Sequence, residues 1–442
     1  AGDLLTLPAT TDRAVISIQD RYFGLYMAEG TTLTTSDLGE LEVQTPDGDT
    51  WFVIAALNAP ADLDEFAPYA WNVVRDTRFE WSWAPRDGKV DTTWRLDVEP
   101  LRGPEFETIQ GFLPHHVHGT DHDLGSASLF NGGHSYATPR GALRIAEGTE
   151  FEVSWPFKGF ALGLPTPEVP ETDIANAYDS ERVRIYVDQY TTRNGYGGDT
   201  YWGGKDIVRL GRYLWIALET QNLDGIAALT QNLRRALVDW LTYDDGETEH
   251  YYARYHNWGA LIGFNESYGS HQFTDNHFHY GYLTVAAALL GVADADFLKE
   301  YGPMARLVAR QYANWDRDDT MFPRLRTFDV WAGHSWAGGL SSGGGNNQES
   351  SSEALQAWGG VYMLGAMLGD EAMRDTGAMG WAIESTSGDA MHDGQLCEWD
   401  TGTCPGFGQW HAMKQRARMQ REMREKEEMK QALMRAARGG SG

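Results

Sequence analysis

The rhythm of hydrophobic and polar positions changes once along this chain. Up to about residue 165 it runs in short β-branched and aromatic segments, at residues 14–18, 51–54 and 79–83. Turn signals punctuate them, at residues 46–49 (Pro-Asp-Gly-Asp) and 85–88 (Pro-Arg-Asp-Gly). Serial short strands with such turns predict an antiparallel β-sandwich over residues 1–165. Pro165, Pro167 and Pro170 then mark a boundary, and residues 166–198 read as a linker. From about residue 200 apolar positions recur at helical spacing, over 207–218, 226–241, 282–290, 304–313 and 354–368. No βαβ rhythm appears, so a TIM barrel is not expected. A toroid of paired helices over 199–396, with Gly- and His-rich connections along one rim, fits the pattern better.

Residues 397–410 hold the only two cysteines, Cys397 and Cys404, whose spacing is compatible with a local disulfide in an oxidising compartment and too poor in ligands for structural zinc. Residues 411–442 differ from the rest. Up to Arg438 they hold nine basic against four acidic residues and no Gly or Pro, which predicts an appended charged helix closed by a linker-like Gly-Gly-Ser-Gly.

Composition narrows the function. A chain of 442 residues suggests two or three domains. Its net charge of −27 argues against binding nucleic acid through phosphate neutralisation, which needs a basic face. A neutral polymer is the easier partner. Aromatics make up 12% of the chain, more than a core alone usually needs, and flat rings suit the apolar faces of sugars. No run of about 18 apolar residues exists to span a membrane. The start at Ala1 lacks the charged and apolar regions of a signal peptide, so a signal is expected to have been removed or to lie upstream.

Two polar strings carry the candidate chemistry. Residues 275–282 read Asp-Asn-His-Phe-His-Tyr-Gly-Tyr, and residues 346–354 read Asn-Asn-Gln-Glu-Ser-Ser-Ser-Glu-Ala. Acetal hydrolysis needs one carboxylic acid to protonate the leaving oxygen and a carboxylate to activate water. Asp275 is the candidate acid, and Glu349 and Glu353 are candidate bases. Asp275 also reads as a plain N-cap for a helix starting near His277. His279, four residues on, shares its face if the turn is helical. Asp275, His277 and His279 converge as metal ligands only on a strand, and the apolar run that follows favours a helix, so no metal is expected. Glu349 and Glu353, four apart, are expected on one helix face, where they also read as solvated acids favoured by the helix dipole.

The stretches 199–205 (Asp-Thr-Tyr-Trp-Gly-Gly-Lys), 268–270 with 275–282, 328–329 with 333–340, and 346–354 resemble glycoside hydrolase family 81. Residues 66–70 and 113–116 are similar to that family's N-terminal sandwich. The resemblance implies an inverting endo-β-1,3-glucanase of laminarin-type glucans, with Asp275 as general acid and Glu349 as general base. It implies that Glu353 and His279 are also needed for activity, and that Tyr201, Tyr280, His334 and Trp336 border the sugar subsites. It implies a partial β-sandwich followed by an incomplete (α/α)6-type toroid, because family members are usually longer at both ends. A secreted monomer that uses no cofactor and binds β-1,3-glucan is expected. The competing expectations are a glucan-binding protein with weak or no turnover, and a metal-dependent hydrolase.

Overall fold

The computed structural model describes residues 3–4, 11–160 and 180–392, apart from residues 36–39, 47–50, 105–106, 118–127, 130–133, 139, 194 and 341–345. The proline-rich boundary, the triple-glycine run 343–345, the cysteine segment and the tail 411–442 therefore lie outside the described residues.

The first part is antiparallel β-structure in three sheets. β1 (Asp3–Leu4), β2 (Thr11–Ile18), β3 (Arg21–Thr35) and β4 (Leu41–Gln44) follow one another, and β5 (Phe52–Leu57) adds to β3. α1 (Asp62–Ala70) packs Phe66 against Tyr26, Leu57, Trp71 and Ile145 in a core of its own. The long hairpin β6 (Asn72–Ala84) and β7 (Lys89–Pro100) turns at residues 85–88, where Gly88 takes a φ of 65° that other residues rarely adopt. β8 (Thr108–Phe112), β9 (Ser128–Leu129), β10 (Ser135–Thr138) and β11 (Gly141–Gly148) form the second sheet, with the short helix α2 (Pro114–Val117) after β8. β12 (Glu150–Pro156) joins the hairpin in the order β12-β7-β6.

This last sheet shows the period-2 rule plainly. Val90, Thr92 and Trp94 of β7 are buried opposite Trp155, Val153 and Phe151 of β12. Thr92 inside that face donates to the Val153 carbonyl (2.9 Å) and accepts from Trp155 Nε1 (2.8 Å), so its hydroxyl is satisfied. The face belongs to the same continuous core as the helices. The third sheet is covered by helices as well as by the second sheet, where Phe112 of β8 meets Phe151 of β12 at 5.1 Å.

The second part comprises α3 (Ser180–Thr191), α4 (Trp202–Glu219), α5 (Leu223–Leu241), α6 (Asn276–Ala293), α7 (Ala295–Ala313), α8 (Ser351–Leu368) and α9 (Glu371–His392). Short hairpins β13 (Tyr251–Tyr255) with β14 (Ala260–Phe264) and β15 (Phe328–Asp329) with β16 (His334–Ser335) are inserted between them. All five helices expected from periodicity are present, each longer than its apolar stripe, and side-chain caps start three of them. Asn222 accepts from Gly225 N–H (3.0 Å), Asp294 from Phe297 N–H (2.9 Å), and α8 starts at Ser350, whose hydroxyl accepts from Glu353 N–H (3.4 Å). The linker reading of 166–198 is corrected by α3, which buries Val187 and stacks Tyr190 on Tyr213 of α4 at 3.9 Å.

Residues 276–290 of α6 are buried all round, as a central helix must be. α6 lies against α4, α5, α7 and α8, and α8 against α9. No helix among the described residues is long and apolar enough to cross a membrane.

Candidate active site

Asp275 stands at the N-terminal end of α6 with φ 52°. Its carbonyl accepts from Phe278 and His279 N–H (2.9 and 3.0 Å), so the backbone opens the helix as an N-cap does. Its side chain makes no capping bond. The capping alternative therefore leaves the carboxyl unexplained: the residue is 9% exposed, and Oδ1 is buried with no hydrogen-bond partner among the described residues. Burial, reinforced by the charges of Glu349 and Glu353, pushes this carboxyl up to about 7.

The backbone brings the glutamates here. Asp275 N–H donates to the Ala337 carbonyl (2.9 Å), Ala337 N–H donates to the Asn347 carbonyl (2.8 Å), and Asn346 Oδ1 accepts from Gly338 N–H (2.6 Å). The start of α6, the strand-like segment after β16 and the loop before α8 thus lie side by side. Glu349 is exposed on that loop with φ 60°. It precedes the cap Ser350, so the expectation of Glu349 and Glu353 on one helix face is corrected: the left-handed backbone at Glu349 ends the helical register before it begins.

Glu353 lies in the first turn of α8. Tyr282 OH donates to its Oε1, and Lys205 Nζ lies 3.2 Å from the same oxygen. Burial alone would raise the Glu353 carboxyl. Hydrogen bonds from Tyr282, Lys205 and Ser350 and the Lys205 charge outweigh it and hold the group below the ordinary range.

His279 is buried, with Nδ1 2.7 Å from Thr200 Oγ1. Burial, helped by the Lys205 charge, lowers it to about 4, so the ring is neutral near pH 7. His277 is also buried; burial, with His279 and His334 nearby, lowers it to about 3. The metal alternative for Asp275, His277 and His279 finds no support in geometry. Among the described residues, the one group of three such side chains with donor atoms within 4.8 Å of one another is Asp62, Glu65 and His134, in the β-region.

The expected sugar-contacting residues separate into two sets. Tyr201 is half-buried and accepts from Lys205 Nζ, which also lies 4.2 Å from its ring centroid. Trp336 is half-buried, donates from Nε1 to Asp329 (3.2 Å) and meets the His334 ring edge-on at 4.4 Å. His334 is almost fully buried. Tyr280 is corrected outright: it is fully buried on the core side of α6, and its hydroxyl accepts from Gly263 N–H (3.2 Å). Five residues after Asp275 on a helix point well away from it.

Sequence reasoning gave no role to two exposed rings beside Tyr201. Trp202 (54% exposed) donates from Nε1 to Tyr268 OH (3.1 Å), and Tyr268 is 59% exposed with its ring 5.0 Å from that of Tyr201. The signal was available, since Trp202 shares the polar face of α4 with Lys205, Asp206 and Arg209. Glu384 was missed as well. It lies on the apolar phase of α9, fully buried, and burial pushes it up to about 7 despite hydrogen bonds from Ser335, Trp358 and Gln348.

Around the start of α6 the geometry offers a buried, proton-retaining carboxyl at Asp275, an exposed carboxyl group at Glu349 and a carboxylate held ionised at Glu353, with aromatic rings alongside. The profile of the glycosyl hydrolase family 81 C-terminal domain matches residues 174–392. A glucan endo-1,3-beta-D-glucosidase of Acetivibrio thermocellus is 33% identical over 370 residues, which cover 82% of this chain and 46% of that protein. One of the same name from Thermobifida fusca is 34% identical over 386 residues, 85% of this chain and 48% of that protein. The solved structure of a glycoside hydrolase family 81 protein from Clostridium thermocellum superimposes with a TM-score of 0.80 at 30% identity, covering 88% of this chain and 54% of that one. The chain spans about half the length of the curated relatives it matches. Through both its β-rich and its helical part, it belongs to glycoside hydrolase family 81.

Proposed function

We propose that this chain is an endo-hydrolase of β-1,3-glucosidic bonds in laminarin-type glucans, acting with inversion. The observation that carries the reading is Asp275: a buried carboxyl, unused as a cap, that keeps its proton to about pH 7 beside two other carboxyl groups. Asp275 protonates the glycosidic oxygen. Glu349, exposed on the neighbouring loop, takes a proton from the water that attacks the opposite face of the sugar. Inversion calls for roughly 6.5–9.5 Å between the two carboxyl groups, room for that water. Glu353, bound by Lys205 and Tyr282, stays anionic and favours the proton on Asp275. Neutral His279 orients the adjoining Thr200 and Tyr201 wall. Tyr201, Trp202, Tyr268 and Trp336 supply rings for sugar faces.

The helical part reads as an incomplete (α/α)6-type toroid. Consecutive helices pair as α4 with α5, α6 with α7 and α8 with α9 across short connections, while α4, α6 and α8 neighbour one another as an inner row. The protein is read as a secreted monomer.

Incubation with laminarin, followed by chromatography of the products and polarimetry, tests the function. Mixed oligosaccharides whose new reducing ends start as the α-anomer are expected, and none from Asp275→Asn. Binding without products would favour a glucan-binding protein, and β-anomers at first release would remove Glu349 from its role.

A further inference from the structure

We infer that Glu384 is a positioning residue for both candidate catalytic carboxyl groups; the inference rests on the roles proposed above for Asp275 and Glu349. Glu384 is fully buried in α9 and touches no surface that a glucan reaches. Its Oε1 accepts from Ser335 N–H (3.1 Å), and its Oε2 accepts from Ser335 Oγ (2.8 Å) and Trp358 Nε1 (2.8 Å). The Gln348 side chain bonds to it as well. A buried carboxyl is costly, and apolar neighbours such as Ile383 and Met379 would fill this space without that cost. What the carboxyl adds is connection: it joins β16, α8 and the loop before α8 at one point.

Both candidate groups hang on that point. Two residues beyond Ser335, the Ala337 carbonyl holds Asp275 N–H, and Ala337 N–H holds the Asn347 carbonyl. Gln348 precedes Glu349 directly, and Glu349 has an exposed, left-handed backbone with few anchors of its own. Displacements of about 1 Å at reacting groups cost as much as a hundredfold in rate. Removing the hub should therefore be felt in turnover before it is felt in substrate binding.

Glu384→Gln is nearly isosteric and turns at least one acceptor into a donor facing donors. It should lower kcat on laminarin about ten- to a hundredfold, with KM changed less than about threefold. Combined with Glu349→Gln, it should slow turnover by less than the product of the two single losses, since part of its effect runs through Glu349 and only the part through Asp275 remains. Ser335→Ala, which deletes a single hydroxyl, should lower kcat several-fold and serves if Glu384→Gln does not fold. A kcat within about twofold of the parent in the folded variants, or losses that multiply in the double variant, would overturn the positioning role. A fully active Glu349→Gln would instead bring down the reading of the site on which the inference rests.

Discussion

Asp275 is a residue whose cost and use are the same property. Its folded carboxyl sits at about 7, above the ordinary aspartate value near 3.9, so folding favours the protonated form. Its contribution to stability is complete below about pH 4 and is lost as pH rises through about 7. Asp275→Asn carries no such charge, so its melting temperature relative to the parent should rise with pH between about 4 and 8. Calorimetry of the two proteins at several pH values checks this, and a difference independent of pH would mean that Asp275 is solvated. Activity should follow the proton. The kcat/KM of the parent on laminarin should fall as pH passes about 7, while an aryl glucoside whose leaving group needs no protonation should lose far less. Glu353 works in the opposite sense. Held low by Lys205 and Tyr282, it adds stability above the ordinary glutamate value that disappears on acidification.

Elements were legible in the sequence to the extent that large apolar side chains wrote them. α4 to α8 announce themselves through Leu, Ile, Val and aromatic residues at helical spacing, and the polar strings flanking them marked the site. α9 did not, because its packing face uses Gly377, Ala378, Gly380 and Ala382, which make a weak hydrophobic stripe while letting backbones approach. Glu384 is hidden in that same helix. The turn at Glu349 was illegible for another reason: a left-handed φ at a glutamate leaves no trace in spacing. Tyr280 shows the limit of adjacency, being next to the motif in sequence and on the far face in space. The glycine contact gives a prediction at this scale. A Cβ on Gly377 would lie 2.2 Å from Tyr362 N and 2.8 Å from Trp358 O, backbone atoms of α8 that cannot swing aside. Gly377→Ala should therefore destabilise by about 1–3 kcal/mol in urea titration. Gly388→Ala, whose nearest atom is Ser351 Oγ at 3.9 Å, should be neutral or slightly stabilising by helix propensity. Equal effects at the two positions would show that α8 and α9 can part without cost.

At the scale of the whole molecule, the β-region does more than precede the helices. Tyr362 of α8 meets Trp83 and Phe157 at 5.2 and 5.6 Å, and Trp381 of α9 meets Phe160 at 4.3 Å. Trp331, on the turn between β15 and β16, packs on Trp94, Phe112 and His116 and donates from Nε1 to the Gly111 carbonyl (3.0 Å). Arg140 donates to Ser387 Oγ (2.7 Å) on α9. The third sheet, Phe112 and Ala146 of the second and the helices thus close one core, and these strands buttress the segment that leads through Ser335 and Ala337 to Asp275. A fragment of residues 174–392 would expose that aromatic seam to water, a patch of the kind that drives association. It should bind a hydrophobic dye, aggregate at concentrations where the full chain stays dispersed, and melt without a cooperative transition. Glucan turnover should be lost with it, because the Trp331 turn loses its support. Adding residues 1–160 as a separate chain should restore part of the cooperativity if the seam alone is responsible. A fragment that melts within a few degrees of the full chain and turns over laminarin would show that the helices stand alone and that the shared core contributes nothing to the site.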